Sequence, residues 1–364
     1  MATAVLPQTR FYRPELDALR FFAFFAVFIS HVFPQTADGY TTHHLPRVAA
    51  ELISSAVTAG TFGVPLFFLL SAFLITSLLL REKEQTGTLR VGAFYLRRIL
   101  RIWPLYFFFL AITAAFTLPQ AAKFLIGCVF LSGNWMIVLY APPATAAGIL
   151  WSISVEEQFY LLWPLAARKL SREGLAYLAI GLIALANVAR LLVCHMRVIK
   201  VWTNTFVHLD SIAFGILCAL FLSKPLDLKL WRVPLFLLGL ALWITCGHFR
   251  YSGSPLYVTV GFPIMAFGAL LLFLSVYGIP LKEGVLSYLG KISYGLYVWH
   301  AIVVTQLWHW NHVSKGKITV MSFALRAVCG LLLTVGIAAL SYRVLEAPFL
   351  RMKKRFTWIE SRPV

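Results

Sequence analysis

The 364-residue sequence predicts an all-α, polytopic integral membrane protein: one domain of about ten transmembrane helices, with a further re-entrant or short helix near 121–140. Three observations carry this. Hydrophobic residues make up 60% of the chain and charged residues 13%, where a soluble domain is about half apolar and a quarter charged. Ten apolar runs recur, most close to the length that crosses hydrocarbon as a helix. The 32 Lys and Arg residues concentrate in short segments between runs, the pattern of cytoplasmic loops. That placement assigns the net charge of +18 to topology and argues against nucleic acid as a partner.

The first run, 17–34, is preceded by charged residues, and no small-residue cleavage site follows it. It is expected to be a retained span rather than a removed signal peptide. Further runs lie at 62–80, 102–118, 151–166, 175–194, 206–223, 233–247, 257–277, 286–308 and 319–343. The stretch 121–140 is apolar but broken by Lys123 and by Ser132-Gly133-Asn134, and Pro142-Pro143 follows. Such a segment fits a re-entrant or surface position against a protein cavity. Charge arbitrates: ten spans with a cytoplasmic N-terminus place 23 of the 32 basic residues inside, whereas an eleventh span would invert every later loop. Both termini are then cytoplasmic, with 350–364 as a basic tail. The five cysteines have no spacing that suggests zinc or a disulfide framework, and are read as packing residues. No internal repeat is evident.

Ionisable side chains inside apolar runs point to function. Arg20 and His31 stand eleven residues apart in the first run. Eleven residues make nearly whole helical turns, so the two share a face, roughly 16 Å apart along the axis. A cation at one surface with a titratable imidazole above it suggests an anion held below and a proton moved above. The plainer alternative is a polar residue hydrogen-bonded inside a bundle. Asp17 is three residues from Arg20 and can pair with it. In Tyr95-Leu-Arg97-Arg98-Ile-Leu-Arg101-Ile-Trp-Pro104-Leu-Tyr106, Arg98 and Arg101 share a face, and planar guanidinium forks suit phosphate oxygens. Trp151 to Pro164 carries Glu156, Glu157, Gln158 and Tyr160. A carboxylate there can orient an imidazole or bind a sugar hydroxyl, or simply answer the helix dipole. His208, Asp210, Tyr294 and Glu346 lie at run edges, where structural roles dominate. His300, beside Trp299 inside a run, is the exception.

These residues resemble the membrane-bound acyltransferase 3 family. The matching stretches are Arg13 to His31, Gly63 to Ile75, Tyr95 to Tyr106, Trp151 to Pro164, His208-Leu-Asp210 with Gly215, Ile292 to His300, and Glu346-Ala-Pro348. They run in family order across nearly the whole chain. Ala18 and Ala72 stand where the family commonly has glycine, and His208 where it commonly has arginine.

The resemblance implies transfer of an acyl group, commonly acetyl, from cytoplasmic acyl-CoA to a hydroxyl of a glycan, lipid-linked saccharide or small natural product. It implies no bound cofactor: acyl-CoA is a co-substrate. The partners are then acyl-CoA, the hydroxyl-bearing acceptor and membrane lipids, in a bacterial inner (plasma) membrane. His31 would be the general base or a transient acyl carrier, and Glu156 would support the imidazolium or position the acceptor. Arg20, Arg98 and Arg101 would hold the donor, with Asp17, Gln158, Tyr160 and His300 as further substrate-binding residues. A stand-alone member without a C-terminal SGNH-type hydrolase domain is expected. The competing class is a proton-coupled transporter or flippase of a saccharide or acylated intermediate. Its expected marks, repeated halves and matched broken helices, are not seen.

Overall fold

The computed structural model describes residues 11–353 and 356, apart from 141, 144, 223–226, 251–253 and 315–319. Among these residues there are helices and loops but no strands. The expected basic tail lies largely outside them, as do Arg10, Lys224, Lys315 and Lys317.

Every one of the ten apolar runs contains helix. They correspond to α1 (Pro14–Val32), α4 (Gly63–Thr86), the first part of α5 (Val91–Val129), α7 (Leu150–Lys169), α8 (Arg172–Val193), α10 (Leu209–Phe221), α11 (Arg232–Phe249), α12 (Phe262–Val276), α13 (Val285–Lys291) with α14 (Ser293–Ser314), and α15 (Val320–Ser341). The short helices are α2 (Asp38–Thr41), α6 (Gly133–Leu139), α9 (Val198–Trp202) and α16 (Ala347–Lys353), and α3 (Arg47–Ala59) leads through a single 3-10 turn into α4. Among the described residues, six stretches are long and apolar enough to cross a membrane: 47–86, 91–118, 172–193, 232–249, 257–276 and 323–353. The expectation of about ten spans is met by these six only in part: α1, α7 and α14, which carry charged and polar residues, and α10, which is 13 residues long, are not among them.

Ion pairs and hydrogen bonds fix which helix ends lie together. At one end, Lys83 Nζ donates to the carbonyls of Ala167 (3.0 Å) and Leu170 (2.9 Å), joining the ends of α4 and α7. Arg172 at the start of α8 pairs with Glu84 at 2.8 Å. Arg97 near the start of α5 pairs with Glu82 at 2.8 Å. The Gly278 amide after α12 donates to Glu15 at the start of α1. At the other end, Arg190 of α8 pairs with Asp210 of α10, and Arg250 after α11 donates to Thr61 before α4. The long helices therefore alternate in direction, with α1 running from the Arg20 end to the His31 end.

Glycines allow close helix approaches at several crossings, Gly290 and Gly215 among them. A Cβ on Gly290 of α13 would collide with the Asp17 carbonyl of α1, and one on Gly215 of α10 would collide with the Leu69 carbonyl and meet the Ala72 Cβ of α4 at 2.9 Å. Ala72 is thus accommodated because a glycine, Gly215, stands on the facing helix.

The stretch 121–140 is not a separate full-length helix. Tyr106 Oη donates to the Cys128 carbonyl at 2.9 Å, although both residues belong to α5. A straight helix would hold residues 22 apart at roughly 33 Å. The chain therefore folds back on itself between them, and the sequence places Pro119, which has no amide hydrogen for the helix, in that interval. Leu131 takes a left-handed conformation (φ 55°), and α6 then returns beside the end of α5. Gly127 and Gly133 make room for Met136 and Cys128 at this hairpin.

Candidate functional site

Three cavities follow one another through the interior along α1. The first, about 50 Å³, is lined by Asp17, Arg20, Ser71, Arg98, Arg101 and Tyr160 among others. The second, about 80 Å³, shares Arg20, Ser71, Arg98, Arg101 and Tyr160, and adds Glu156, Tyr294 and Tyr297. The third is the largest, about 370 Å³, and shares Val64 and Tyr297 with the second. His31, Gln35, Thr61, Trp151, Trp202 and Arg250 line it. Ile137 of α6 and Pro142-Pro143 close its side, so the folded-back hairpin forms part of the wall at the His31 end.

The first two cavities are dominated by cations. Arg20 comes from α1, and Arg98 and Arg101 from one face of α5. Arg98 sits over the Tyr160 ring, 5.8 Å from its centroid. Among the described residues none of the three forms an ion pair. Arg97, one residue from Arg98, behaves oppositely: it is buried, pairs with Glu82 and donates to the Phe356 carbonyl at 2.8 Å. Adjacent helical residues point about 100° apart, which separates a structural arginine from a cavity-lining one.

Glu156 faces the arginine cavity. Its two oxygens accept from Ser71 Oγ at 2.9 Å and Tyr160 Oη at 3.0 Å. Ser152 Oγ and Tyr297 Oη, 2.7 Å apart, stand near the boundary of the second and third cavities. Gln158 points elsewhere. Its amide donates to Asn134 (3.0 Å) and the Leu131 carbonyl (3.3 Å) and accepts from Thr205 at 2.7 Å, tying α6 to α7 and to the turn before α10.

His31 opens into the third cavity, and its Nδ1 lies 3.0 Å from Nε2 of His300, with the ring planes 15° apart. His300 is fully buried and packs edge-on against Phe24. Its Nδ1 lies 2.5 Å from the Tyr297 carbonyl, one turn back on α14. His208 has a packing role: it bonds the Trp202 carbonyl at 2.7 Å and sits among Phe68, Trp151, Trp202 and Phe262. Asp210 takes its guanidinium partner from Arg190.

Most candidate residues are thus gathered along this path: Asp17, Arg20, Arg98, Arg101, Glu156 and Tyr160 toward one end, His31 toward the other with His300 behind it. Glu156 is held by Ser71 and Tyr160, while the imidazole of His31 meets a second imidazole. Ser71, Ser152 and Tyr297 were not singled out in the sequence, although all three lie within the stretches that carry the family resemblance.

A model of the acyltransferase 3 family, described as an acyltransferase domain, matches residues 13–343. The chain is similar to the "Putative O-acetyltransferase SAS0844" of Staphylococcus aureus (strain MSSA476), 26% identical over 379 residues that cover 93% of this chain and 57% of that protein. It is likewise similar to "O-acetyltransferase OatA" of Staphylococcus aureus (strain NCTC 8325 / PS 47), 26% identical over 370 residues with the same shares. The chain therefore spans somewhat more than half the length of these curated relatives. No solved structure matches it. With the family match covering nearly all of the described helices, the chain belongs to the acyltransferase 3 family.

Proposed function

We propose that this protein is a membrane-bound O-acyltransferase that moves an acyl group, acetyl in the first instance, from cytoplasmic acyl-CoA to a hydroxyl of a saccharide, lipid-linked glycan or small-molecule acceptor. One observation carries the reading. Three cavity-lining arginines without ion-pair partners among the described residues lie on the same interior path as a histidine that opens into a larger cavity. Guanidinium groups in a water-poor site favour phosphate oxygens, and CoA is a phosphate-rich carrier on a long, flexible thiol arm. The phosphates would rest on Arg20, Arg98 and Arg101, and the thioester would reach past Tyr297 toward His31.

In this reaction His31 takes the proton of the acceptor hydroxyl. The oxygen attacks the thioester carbonyl, an oxygen–carbon bond forms, and the carbon–sulfur bond breaks. The proton on the imidazole passes to the departing CoA thiolate, which leaves as the thiol. Glu156, fixed by Ser71 and Tyr160, balances part of the arginine charge and limits how far the guanidinium groups repel one another.

The proposed orientation follows the positive-inside bias: ten spans, the arginine end at the cytoplasmic surface and the His31 cavity toward the opposite side. Incubating purified protein with isotope-labelled acetyl-CoA and a panel of saccharide and small-molecule acceptors, read by mass spectrometry, tests the activity. The expected result is a product heavier by one labelled acetyl group. Movement of an unmodified saccharide across vesicles, with no acetylated product, would favour a transporter instead.

A further inference from the structure

We propose that His300 is a positioning residue that fixes the tautomer of His31, so that Nε2 of His31 is the atom that accepts the hydroxyl proton. The chemical role rests on the acyl-transfer reading above. The tautomer itself rests on geometry alone.

A backbone carbonyl can only accept a hydrogen bond. Nδ1 of His300 lies within bonding distance of the Tyr297 carbonyl, so this nitrogen carries the hydrogen. A neutral imidazole has one N–H, which leaves Nε2 of His300 as an acceptor. That nitrogen is 3.0 Å from Nδ1 of His31, so Nδ1 of His31 is the donor. The lone pair of neutral His31 is then on Nε2. The backbone of α14 thereby determines which nitrogen of a histidine on α1, 269 residues away, can act as a base. The arrangement parallels a general base whose second nitrogen is held by an acceptor, with a neutral imidazole in the place of a carboxylate.

The surroundings favour this role over substrate contact for His300. Its side chain is fully buried and is absent from the walls of all three cavities. Phe24 packs edge-on against its ring at 5.8 Å and the Tyr297 ring lies 5.5 Å away, so the imidazole is held in one orientation. When His31 gains the proton at Nε2, its Nδ1–H still donates to His300. The cation is stabilised without a second proton transfer, and the proton remains at Nε2 for the leaving thiolate.

Nitrogen NMR of ¹⁵N-histidine-labelled protein in nanodiscs tests this directly, with His31 signals assigned by their loss in His31→Asn. The expected spectrum shows neutral His31 with its hydrogen on Nδ1. Hydrogen on Nε2 would overturn the proposal. In kinetics, His300→Phe removes the acceptor. Its kcat is expected to fall by about 10²-fold, the scale of misdirecting a general base, with KM for acyl-CoA unchanged. His300→Gln puts an acceptor oxygen near the Nε2 position and is expected to recover most of that loss. Equal kcat in wild type and His300→Phe, or a loss expressed only in KM for acyl-CoA, would contradict the role. The spectrum needs no turnover. The expected tautomer in a protein without transfer activity would count against the proposed function and for the His31–His300 arrangement.

Discussion

The rim and the centre of this helical assembly are built on different chemistry. At the rim, α8 and α11 are apolar and outward-facing: 17% and 22% of their apolar windows are buried, and side chains such as Leu192 and Leu332 of α15 stand 77% and 66% exposed. At the centre, the α3–α4 stretch is 83% buried, and beside it α1, α7 and α14 carry Asp17, Arg20, His31, Glu156, Glu157 and His300. The outward faces of the rim helices can meet lipid because they are apolar, while a charged residue such as Arg190 of α8 is turned inward and paired with Asp210. The polar helices are placed inside because an unpaired charge in hydrocarbon is costly. Hydropathy therefore finds the outward-facing helices and the buried α3–α4 stretch alike, and fades at α1 and α7, where ionisable residues are concentrated.

This contrast can be broken or sharpened by substitution. The largest effect is expected at the centre. His31→Ala should lower acyl transfer by about 10²- to 10⁴-fold, the scale of general-base catalysis, while acyl-CoA binding measured by calorimetry persists. Near-normal turnover would remove His31 from the mechanism.

The next effect is on stability. Arg97 and Glu82 form a buried pair, with side chains 9% and 5% exposed, and removing one partner of such a pair costs about 3–5 kcal/mol. Arg97→Ala should melt at clearly lower temperature in detergent. Arg98→Ala, its neighbour, has no pair to break and should melt near the wild type. Its effect should appear instead as weaker acyl-CoA binding, by about tenfold or more, the worth of a charged hydrogen bond. Equal melting temperatures for the two variants would mean that the cavity-facing and structural arginines are not separate.

How much of this was legible in the sequence differs between the same two regions. The rim was read directly: α8, α11 and α15 begin and end within a few residues of their apolar runs. At the centre, the Arg20–His31 face and the Arg98–Arg101 face followed from helical spacing. The partner of His31 did not, because nothing local joins residues 269 positions apart. Gln158 was read with its acidic neighbours, yet helical rotation turns it toward Asn134 and Thr205. The fold-back of α5 was only half visible: apolarity continues through Pro119, and the contact between Tyr106 and Cys128 is tertiary. Helix α3 was missed because Ser54, Ser55 and Thr58 break its apolar pattern, although these residues are buried.

The smallest effect belongs to the rim. Leu332→Ala should change stability by within about 0.5 kcal/mol, as for exposed positions generally, and leave kcat and acyl-CoA affinity unchanged. A strong loss of activity there would mean that the rim takes part in the chemistry.

The central claim is that one molecule of acyl-CoA lies along the interior path, with phosphates on the arginines and the acyl end at His31. A non-hydrolysable acetyl-CoA analogue bearing a photoreactive group at its acyl end tests it most directly, with labelled peptides identified by mass spectrometry. The account predicts labelling on the C-terminal half of α1 and around Tyr297 of α14, strongly reduced in Arg98→Ala. Labelling confined to the rim helices, or labelling of the His31 region that is indifferent to Arg98, would contradict it.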